Sequence, residues 1–201
     1  MSQPFLGFRY GVSFISVEQA RKNLEREIPG WNFDTIRDRA RRRWNDVLGQ
    51  VQVEGGTLAQ KRVFYTALYH SYERMVCITE DGHYYSGYDH QVHEDSRPFY
   101  VDNWIWDLYQ ALAPLHEILN PDMEADQIAS YARMYEQTGW MPSFAVLWGD
   151  YACMTGNHAA AWMADAWFKG IRNFDLKTAY EGLRKNSLDA TLLPWLNGPK
   201  T

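Results

Sequence analysis

The segment 102–109 places an acid directly after two tryptophans at the predicted start of a helix. At about 100° per residue, Trp104 and Trp106 lie about 200° apart, so they cannot occupy one helix face. We therefore expect one indole to enter the core and the other, next to Asp107, to border a cavity. An acid beside an indole can accept hydrogen bonds from sugar hydroxyls while the ring packs against the sugar. The alternative is that Asp107 satisfies a neighbouring helix end or an arginine.

The densest group of potential metal ligands lies in residues 81–95. It contains three histidines and four acids: His83, His90, His93, Asp81, Asp89, Glu94 and Asp95. Two or three of them would have to converge to bind zinc. The same composition is typical of a solvated hairpin, and the segment alternates around turn residues. We therefore predict a β-hairpin or an ordered insert here, and no metal site.

A third group of polar residues lies in or beside the long loop predicted at residues 140–156. Its members are Glu136, Trp140, Asp150 and His158. Loops held on helix ends often carry binding groups, although a histidine at a helix start is more often structural. No GxSxG, HExxH, P-loop or GxGxxG motif occurs in the chain. A serine hydrolase, a zinc protease, an NTPase and a dinucleotide-binding enzyme therefore lose their main support.

The composition is that of an ordinary globular domain. Of the 201 residues, 46% are hydrophobic, which is enough for a sizeable core. The net charge of −5 is spread along the chain, so no nucleic-acid partner is expected. No stretch reaches the ~20 apolar residues that span a bilayer, and two cysteines are too few for a disulfide framework. The nine tryptophans and thirteen tyrosines can fill a core or line a cleft for a sugar.

The spacing of apolar residues predicts a first strand followed by helices in antiparallel pairs. The strand is predicted at 5–15. Because a lone strand needs partners, we expect the other strands of its sheet to precede Met1 in a longer chain. Predicted N-caps are Ser16, Asp34 and Thr57, and Asp175 is predicted to start the last helix. Helices are predicted at 17–28, 34–48, 58–72, 104–119, 122–138, 158–169 and 175–186. The fold class is mainly α, and the arrangement suggests a helical toroid.

Several long motifs stand in a recognisable order. They are Gly11–Leu24, Phe64–His70, Trp106–Tyr109, Met134–Pro142, Gly156–Ala159 and Asp165–Gly170. In order and spacing they resemble glycoside hydrolase family 92, the α-mannosidases, over nearly the whole chain. The resemblance implies an N-terminal β-sandwich, a helical linker and an (α/α)6 toroidal catalytic domain. On this basis residues 1–15 are the last sandwich strand, residues 16–50 the linker, and residues 51–201 an incomplete first part of the toroid.

The resemblance also implies an activity, the calcium-dependent cleavage of α-mannosidic bonds with inversion in mannose-containing oligosaccharides. The family's general acid, base and calcium-binding motifs do not occur here, so no catalytic or metal-binding residue is assigned, and the chain alone is not expected to turn over. Trp106 and Asp107 match the family's Trp-Asp pair at the mannose to be cleaved. With Trp140 and His158, which fall in matching motifs, they are the predicted substrate-binding residues. Calcium ligands are expected outside this chain. The protein is expected in the periplasm or outside the cell, with an export signal that precedes this chain.

Two alternatives stay open. The first is another (α/α)6 carbohydrate-active enzyme whose acid and base come from this chain, for example Glu136 and Asp150. The second is a non-catalytic carbohydrate-binding or structural helical module.

Overall fold

A computed structural model describes residues 6–151 and 156–190 of the chain. Its contacts divide the chain into two units, residues 1–70 and 71–201. The first unit contains α1 (Val17–Glu27), α2 (Phe33–Leu48) and α3 (Leu58–His70). The second unit contains β1 (Val76–Cys77), β2 (His83–Tyr85), β3 (Val92–Glu94), β4 (Tyr100–Val101), α4 (Ile105–Leu108), α5 (Leu112–Leu119), α6 (Pro121–Thr138), β5 (Ala145–Val146), β6 (Gly149–Asp150), α7 (His158–Phe168) and α8 (Leu176–Asp189). The predicted mainly helical class is confirmed.

Local capping chemistry explains the ends of the first two helices. The Ser16 side chain accepts the backbone N–H of Gln19 at 3.0 Å, so this predicted N-cap is confirmed. The prediction for α2 was wrong, because the N-cap is Asn32, whose side chain accepts the N–H of Thr35. Asp34 lies in the first turn of α2 instead, where it pairs with an arginine of the same helix. Two possible capping residues lie two positions apart here, and the earlier one begins the helix.

The N-terminal segment packs against α1 and forms no strand in its described part, residues 6–15. Asn23 donates its side-chain N–H to the carbonyl of Val12 at 2.9 Å. Gly11 comes so close to α1 that an added Cβ would lie 2.3 Å from the carbonyl oxygen of Ala20. The prediction of a strand from Phe5, which lies outside the described residues, to Ile15 is therefore not met by residues 6–15. The β-sandwich stays a prediction.

The third helix belongs to the first unit because its aromatic side chains pack there. The rings of Trp44 on α2 and Tyr69 on α3 lie 4.5 Å apart. The hydroxyl of Tyr65 donates to the carbonyl of Val51 at 3.0 Å. The division between His70 and Ser71 therefore does not coincide with the linker boundary predicted after residue 50. The assignment of the two parts to a linker and a toroid stays a prediction.

Helix α6 is the centre of the second unit, since α5, α8 and β4 all pack against it. Its side chains Ile128, Tyr131 and Met134 are fully buried. Pro121 occupies the first turn, where its missing N–H costs nothing. The helix ends at Gly139, whose φ of +76° is a left-handed conformation that glycine adopts without strain. This stop agrees with the sequence prediction.

The predicted helix 104–119 is interrupted, which corrects the prediction. It forms α4 and α5, separated by Tyr109, Gln110 and Ala111, and Ala111 has the non-helical angles φ −133° and ψ −46°. Pro114 lies in the first turn of α5. In a continuous helix its ring would clash with the carbonyl of Gln110, to which it has no N–H to donate, so the helix breaks before it.

The strands form three antiparallel pairs in the described residues: β1 with β4, β2 with β3, and β5 with β6. The pairing of Tyr84 with His93 confirms the predicted hairpin. The β5–β6 pair lies within the loop predicted at 140–156. No helix in the described ranges is long and apolar enough to cross a membrane.

Candidate functional site

Trp106 and Asp107 lie on α4, which consists of a single turn. So short a helix has too few internal hydrogen bonds to hold itself, so its position depends on tertiary contacts. Ile105, which is only 1% exposed, anchors it in the core. Trp104 and Trp106 are both at the surface, with 41% and 46% exposure. The expectation that one indole enters the core was wrong, because the isoleucine between them takes that place.

The N-terminal end of α4 is held by an arginine from outside the helix. The Arg74 guanidinium lies 3.9 Å from the centroid of the Trp104 ring and is ion-paired with Asp102. The indole N–H of Trp104 donates to the same carboxylate at 3.2 Å. The other neighbour of the indole is the ring of Phe144, 5.7 Å away between centroids. These contacts fix both the position and the tilt of Trp104.

The C-terminal end of α4 is joined to the start of α7. Tyr109 directly follows α4, and its ring stacks on the imidazole of His158 with centroids 4.7 Å apart and planes 20° apart. The Nε2 atom of His158 is buried and has no hydrogen-bond partner among residues 6–151 and 156–190. The structure thus brings His158 to the helix that carries Trp106 and Asp107. Its imidazole contacts Tyr109 there.

Trp140 occupies a different place, at the junction of α6 and α8. The ammonium of Lys185 lies 4.4 Å from the centroid of its ring and donates to the carbonyl of Gly139 at 2.7 Å. The structure therefore shows Trp140 packed against the end of α6. Its predicted role in substrate binding stays a prediction.

A small cavity lies between α4, α5, α6 and α7. Ile105 and Tyr109 line one side of it, and Glu124, Gln127 and Trp162 line another. Trp106 and Asp107 are not among its lining residues, and the expectation that the indole next to Asp107 borders a cavity stays a prediction.

Glu124 is the most perturbed acid at this cavity. It is 1% exposed, and its carboxylate accepts the indole N–H of Trp162 at 2.9 Å. Burial raises the pKa of Glu124 to about 8, although the hydrogen bond from Trp162 opposes the shift. The side chain is therefore mostly neutral at pH 7. A neutral carboxyl can stay buried here without a cation.

Two more buried titratable groups flank the cavity on α5. His116 hydrogen-bonds the carbonyl of Ser71 at 2.7 Å, and burial lowers the pKa of its imidazole. Glu117 is fully buried and is ion-paired with Lys169 of the α7 end. Burial raises the pKa of Glu117, and the ammonium of Lys169 opposes that shift. These groups link α5 to its neighbours and do not reach the surface around Asp107.

The histidines of the β2–β3 hairpin do not converge. His83 contacts the carbonyl of Asp81, and His90 contacts the hydroxyl of Tyr85. His93 pairs with the Asp89 carboxylate, four residues earlier, at 2.8 Å. Within the described ranges no three histidine, cysteine or acidic side chains are grouped so that they could hold a metal ion.

The two acids of the enzymatic alternative differ in their surroundings. Asp150 accepts the backbone N–H groups of Ser143 and Phe144, at 3.1 and 2.7 Å, and also the hydroxyl of Ser143. It therefore closes the β5–β6 turn. Glu136 lies on the exposed side of α6. No contact between the two acids exists in the described part of the structure.

The residues that sequence reasoning missed are Arg74, Asp102 and Glu124. Arg74 and Asp102 meet across 28 positions of sequence, so no local pattern could have paired them. Glu124 did leave a signal, because it stands four and seven residues before the buried Ile128 and Tyr131. That spacing places it on the apolar face of α6.

Comparison with known proteins gives a consistent result. The family model of the glycosyl hydrolase family 92 catalytic domain matches residues 19–200. A curated relative, an uncharacterized secreted glycosidase of Arthroderma benhamiae, is 28% identical over 184 residues, which is 89% of this chain and 20% of the relative. The solved family 92 inverting mannosidase from Bacteroides thetaiotaomicron is 38% identical with a TM-score of 0.78, over 85% of this chain and 23% of that one.

A further solved α-mannosidase of the same family and organism, in complex with mannoimidazole, is 25% identical. Its TM-score is 0.83, over 91% of this chain and 24% of that one. The chain thus spans about a fifth to a quarter of the length of the proteins that it matches.

Proposed function

Since this chain belongs to glycosyl hydrolase family 92, we propose that its complete protein is an inverting glycosidase that removes α-linked mannose from mannosides or N-glycans. The two solved structures support this proposal. One is named an inverting mannosidase, and the other is an α-mannosidase solved with mannoimidazole. The chain's own part is to bind sugar. The observation that carries this is the exposed Trp106–Asp107 pair on a helix fixed at both ends.

The chemistry of this pair suits a pyranoside. The Asp107 carboxylate can accept hydrogen bonds from two sugar hydroxyls, and such charge-assisted bonds are the stronger kind. The Trp106 indole can pack against the apolar face of the ring. A rigid position for both groups orients the sugar toward the reacting carboxylates.

The acid and base of the proposed reaction are assigned outside this chain. An inverting glycosidase needs two carboxyl groups roughly 6.5–9.5 Å apart, with a water between them. Glu124 is neutral and buried, so it does not reach a sugar at the surface. Asp150 is engaged with its own turn. The second alternative, a non-catalytic helical module, predicts binding without hydrolysis.

Calcium is part of the proposal, with ligands outside this chain. Calcium takes six to eight oxygen ligands, and the described residues contain no cluster of acids that fits it. Export to the periplasm or the medium is proposed as well. The curated relative described as a secreted glycosidase supports it.

The test is hydrolysis of α-mannobiose by the complete gene product, with and without EDTA. The proposal expects mannose release that EDTA abolishes. Asp107→Ala should lower kcat/KM at least about 150-fold, because two charge-assisted hydrogen bonds of about 1.5–3 kcal/mol each are lost. Asp46→Ala, which removes an exposed acid on α2, is the matched control and should leave kcat/KM unchanged.

Two results would count against the proposal. The absence of mannose release from any α-mannoside would refute the proposed activity. Mannose release that neither EDTA nor Asp107→Ala affects would refute the calcium requirement and the role of Asp107. Loss of activity in Glu136→Gln and Asp150→Asn, with Asp107→Ala fully active, would favour the other toroidal enzyme.

A further inference from the structure

Trp104 directly precedes α4 as its N-cap residue. The backbone N–H of Asp107 donates to the carbonyl of Trp104 at 2.9 Å, so the two residues are joined within one turn. Trp104 and Trp106 are both exposed and both lie within three residues of Asp107. The family motif accounts for only one of these two indoles.

The surroundings of Trp104 have the chemistry of a sugar subsite. Arg74 uses one of its five N–H donors on Asp102, and its other donors have no partner among residues 6–151 and 156–190. The side chains of Arg74 and Asp102 are 31% and 30% exposed. The cluster thus presents N–H donors, carboxylate oxygens and an indole at one surface. A flat apolar face with a few convergent polar groups is the usual way to bind an amphipathic ligand.

The cluster is also preorganised. The guanidinium of Arg74 covers part of one face of the indole, the carboxylate of Asp102 holds its N–H, and Phe144 supports it from another side. Each contact restricts the Trp104 side chain before any ligand arrives. Binding therefore costs less side-chain entropy than it would for a free tryptophan.

We propose that Arg74, Asp102 and Trp104 form a second sugar-contact surface, which binds the sugar unit linked to the mannosyl unit at Asp107. This inference rests on the proposed function, since it takes Asp107 to hold a mannosyl unit. It adds that the protein binds a disaccharide more tightly than a monosaccharide. The class of ligand is a neutral pyranoside, recognised by its hydroxyls and by one apolar face.

The test compares two probes, mannose and a thio-linked α-mannobiose, whose sulfur bridge resists hydrolysis. Their dissociation constants are measured by calorimetry on the complete gene product. The wild-type protein should bind the disaccharide more tightly. Trp104→Ala should weaken disaccharide binding about 10-fold and leave mannose binding within about 2-fold. Trp104→Phe, which keeps a ring, should retain part of the disaccharide affinity, and Arg74→Lys, which loses the planar guanidinium, should weaken it selectively.

The matched control is Trp31→Ala in the first unit. Trp31 is another exposed tryptophan under an arginine, with the Arg9 guanidinium 5.0 Å from its ring centroid. Among residues 6–151 and 156–190 no carboxylate accepts a hydrogen bond from its indole, and Trp31 is distant from α4 in sequence. Its removal should therefore change neither dissociation constant. A control variant that behaves like Trp104→Ala would show that loss of any exposed indole has this effect, which would overturn the proposal.

Three further outcomes overturn the proposal in distinguishable ways. Equal weakening of mannose and disaccharide by Trp104→Ala would show that the indole only positions α4. Unchanged binding of both probes would show that the surface contacts no sugar. A wild-type protein that binds neither probe would overturn the proposed function itself, and this inference with it.

Discussion

Replacing Glu124 with glutamine should remove a pH dependence from the stability of the second unit. Glu124 is buried between α6 and α7, where it accepts the indole N–H of Trp162. Burial holds its proton in the folded protein, and the nearby Glu117 carboxyl raises the pKa further, while Lys169 lowers it. In the unfolded chain the same carboxyl loses its proton near its ordinary pKa. Glutamine has nearly the same shape and never ionises.

The sign and size of the effect follow from the two pKa values. A folded pKa of about 8, above the ordinary value of 4.5, means that the unfolded state loses the proton first as the pH rises. The contribution of Glu124 to the free energy of unfolding is therefore fully present below pH 4.5 and is lost as the pH rises towards 8. By linkage the loss is below about 1 kcal/mol at pH 5, about 3 kcal/mol at pH 7 and about 4 kcal/mol at pH 8. The Glu124→Gln variant should not show this loss.

Hydrogen exchange of the α6 amides, read by mass spectrometry on the complete gene product, measures the free energy of opening of this helix. The rate ratio of wild type to variant at one pH cancels the intrinsic exchange rates. It also cancels titrations that the two proteins share, including that of Glu117. At pH 8 the variant should exchange up to about 1,000-fold more slowly, since 1.4 kcal/mol corresponds to a factor of ten. At pH 5 the rates should agree within about 5-fold.

A matched control lies on the same helix. Glu136→Gln makes the same chemical change at an exposed position of α6 and should give a ratio near one at both pH values. If Glu124→Gln gives the same ratio at pH 5 and pH 8, the carboxyl does not keep its proton in the fold. The account of Glu124 as a neutral buried acid would then be refuted.

Two further substitutions test the packing. Gly11→Ala should destabilise the packing of residues 6–15 on α1 by about 1–3 kcal/mol, because the new Cβ would lie 2.3 Å from a backbone oxygen of α1. Proteolysis within residues 6–15 should therefore become faster. The control, Gly30→Ala, places a Cβ with nothing within 4 Å and should leave cleavage unchanged. Lys169→Met should lower thermal stability by the equivalent of about 2 kcal/mol, since it leaves the fully buried Glu117 without its cation. Lys177→Met, at an exposed ion pair, should change it by less than about 0.5 kcal/mol, and equal effects of the two lysine changes would contradict the burial argument.

The features that sequence predicted well are those that local chemistry decides. The Ser16 cap and the Gly139 stop each depend on a few neighbouring residues, and both lie where the pattern placed them. The hairpin of β2 and β3 is local in the same sense. The break between α4 and α5 also has a local cause, Pro114, which the prediction of one helix over 104–119 did not take into account. Arg74 is different, because its partner Asp102 is distant in sequence.

The helical-wheel argument applied the helical period to a residue outside the helix. Trp104 is the N-cap residue of α4 and has non-helical backbone angles. Neither Trp104 nor Trp106 is in the core, because Ile105 between them fills the space that one indole was expected to take. With both indoles exposed, Asp107 has two aromatic neighbours within three residues of the chain. The family motif pairs Asp107 with Trp106, whereas the contacts in the structure hold the side chain of Trp104. A disaccharide probe separates the two assignments, because only the Trp104 surface requires a second sugar.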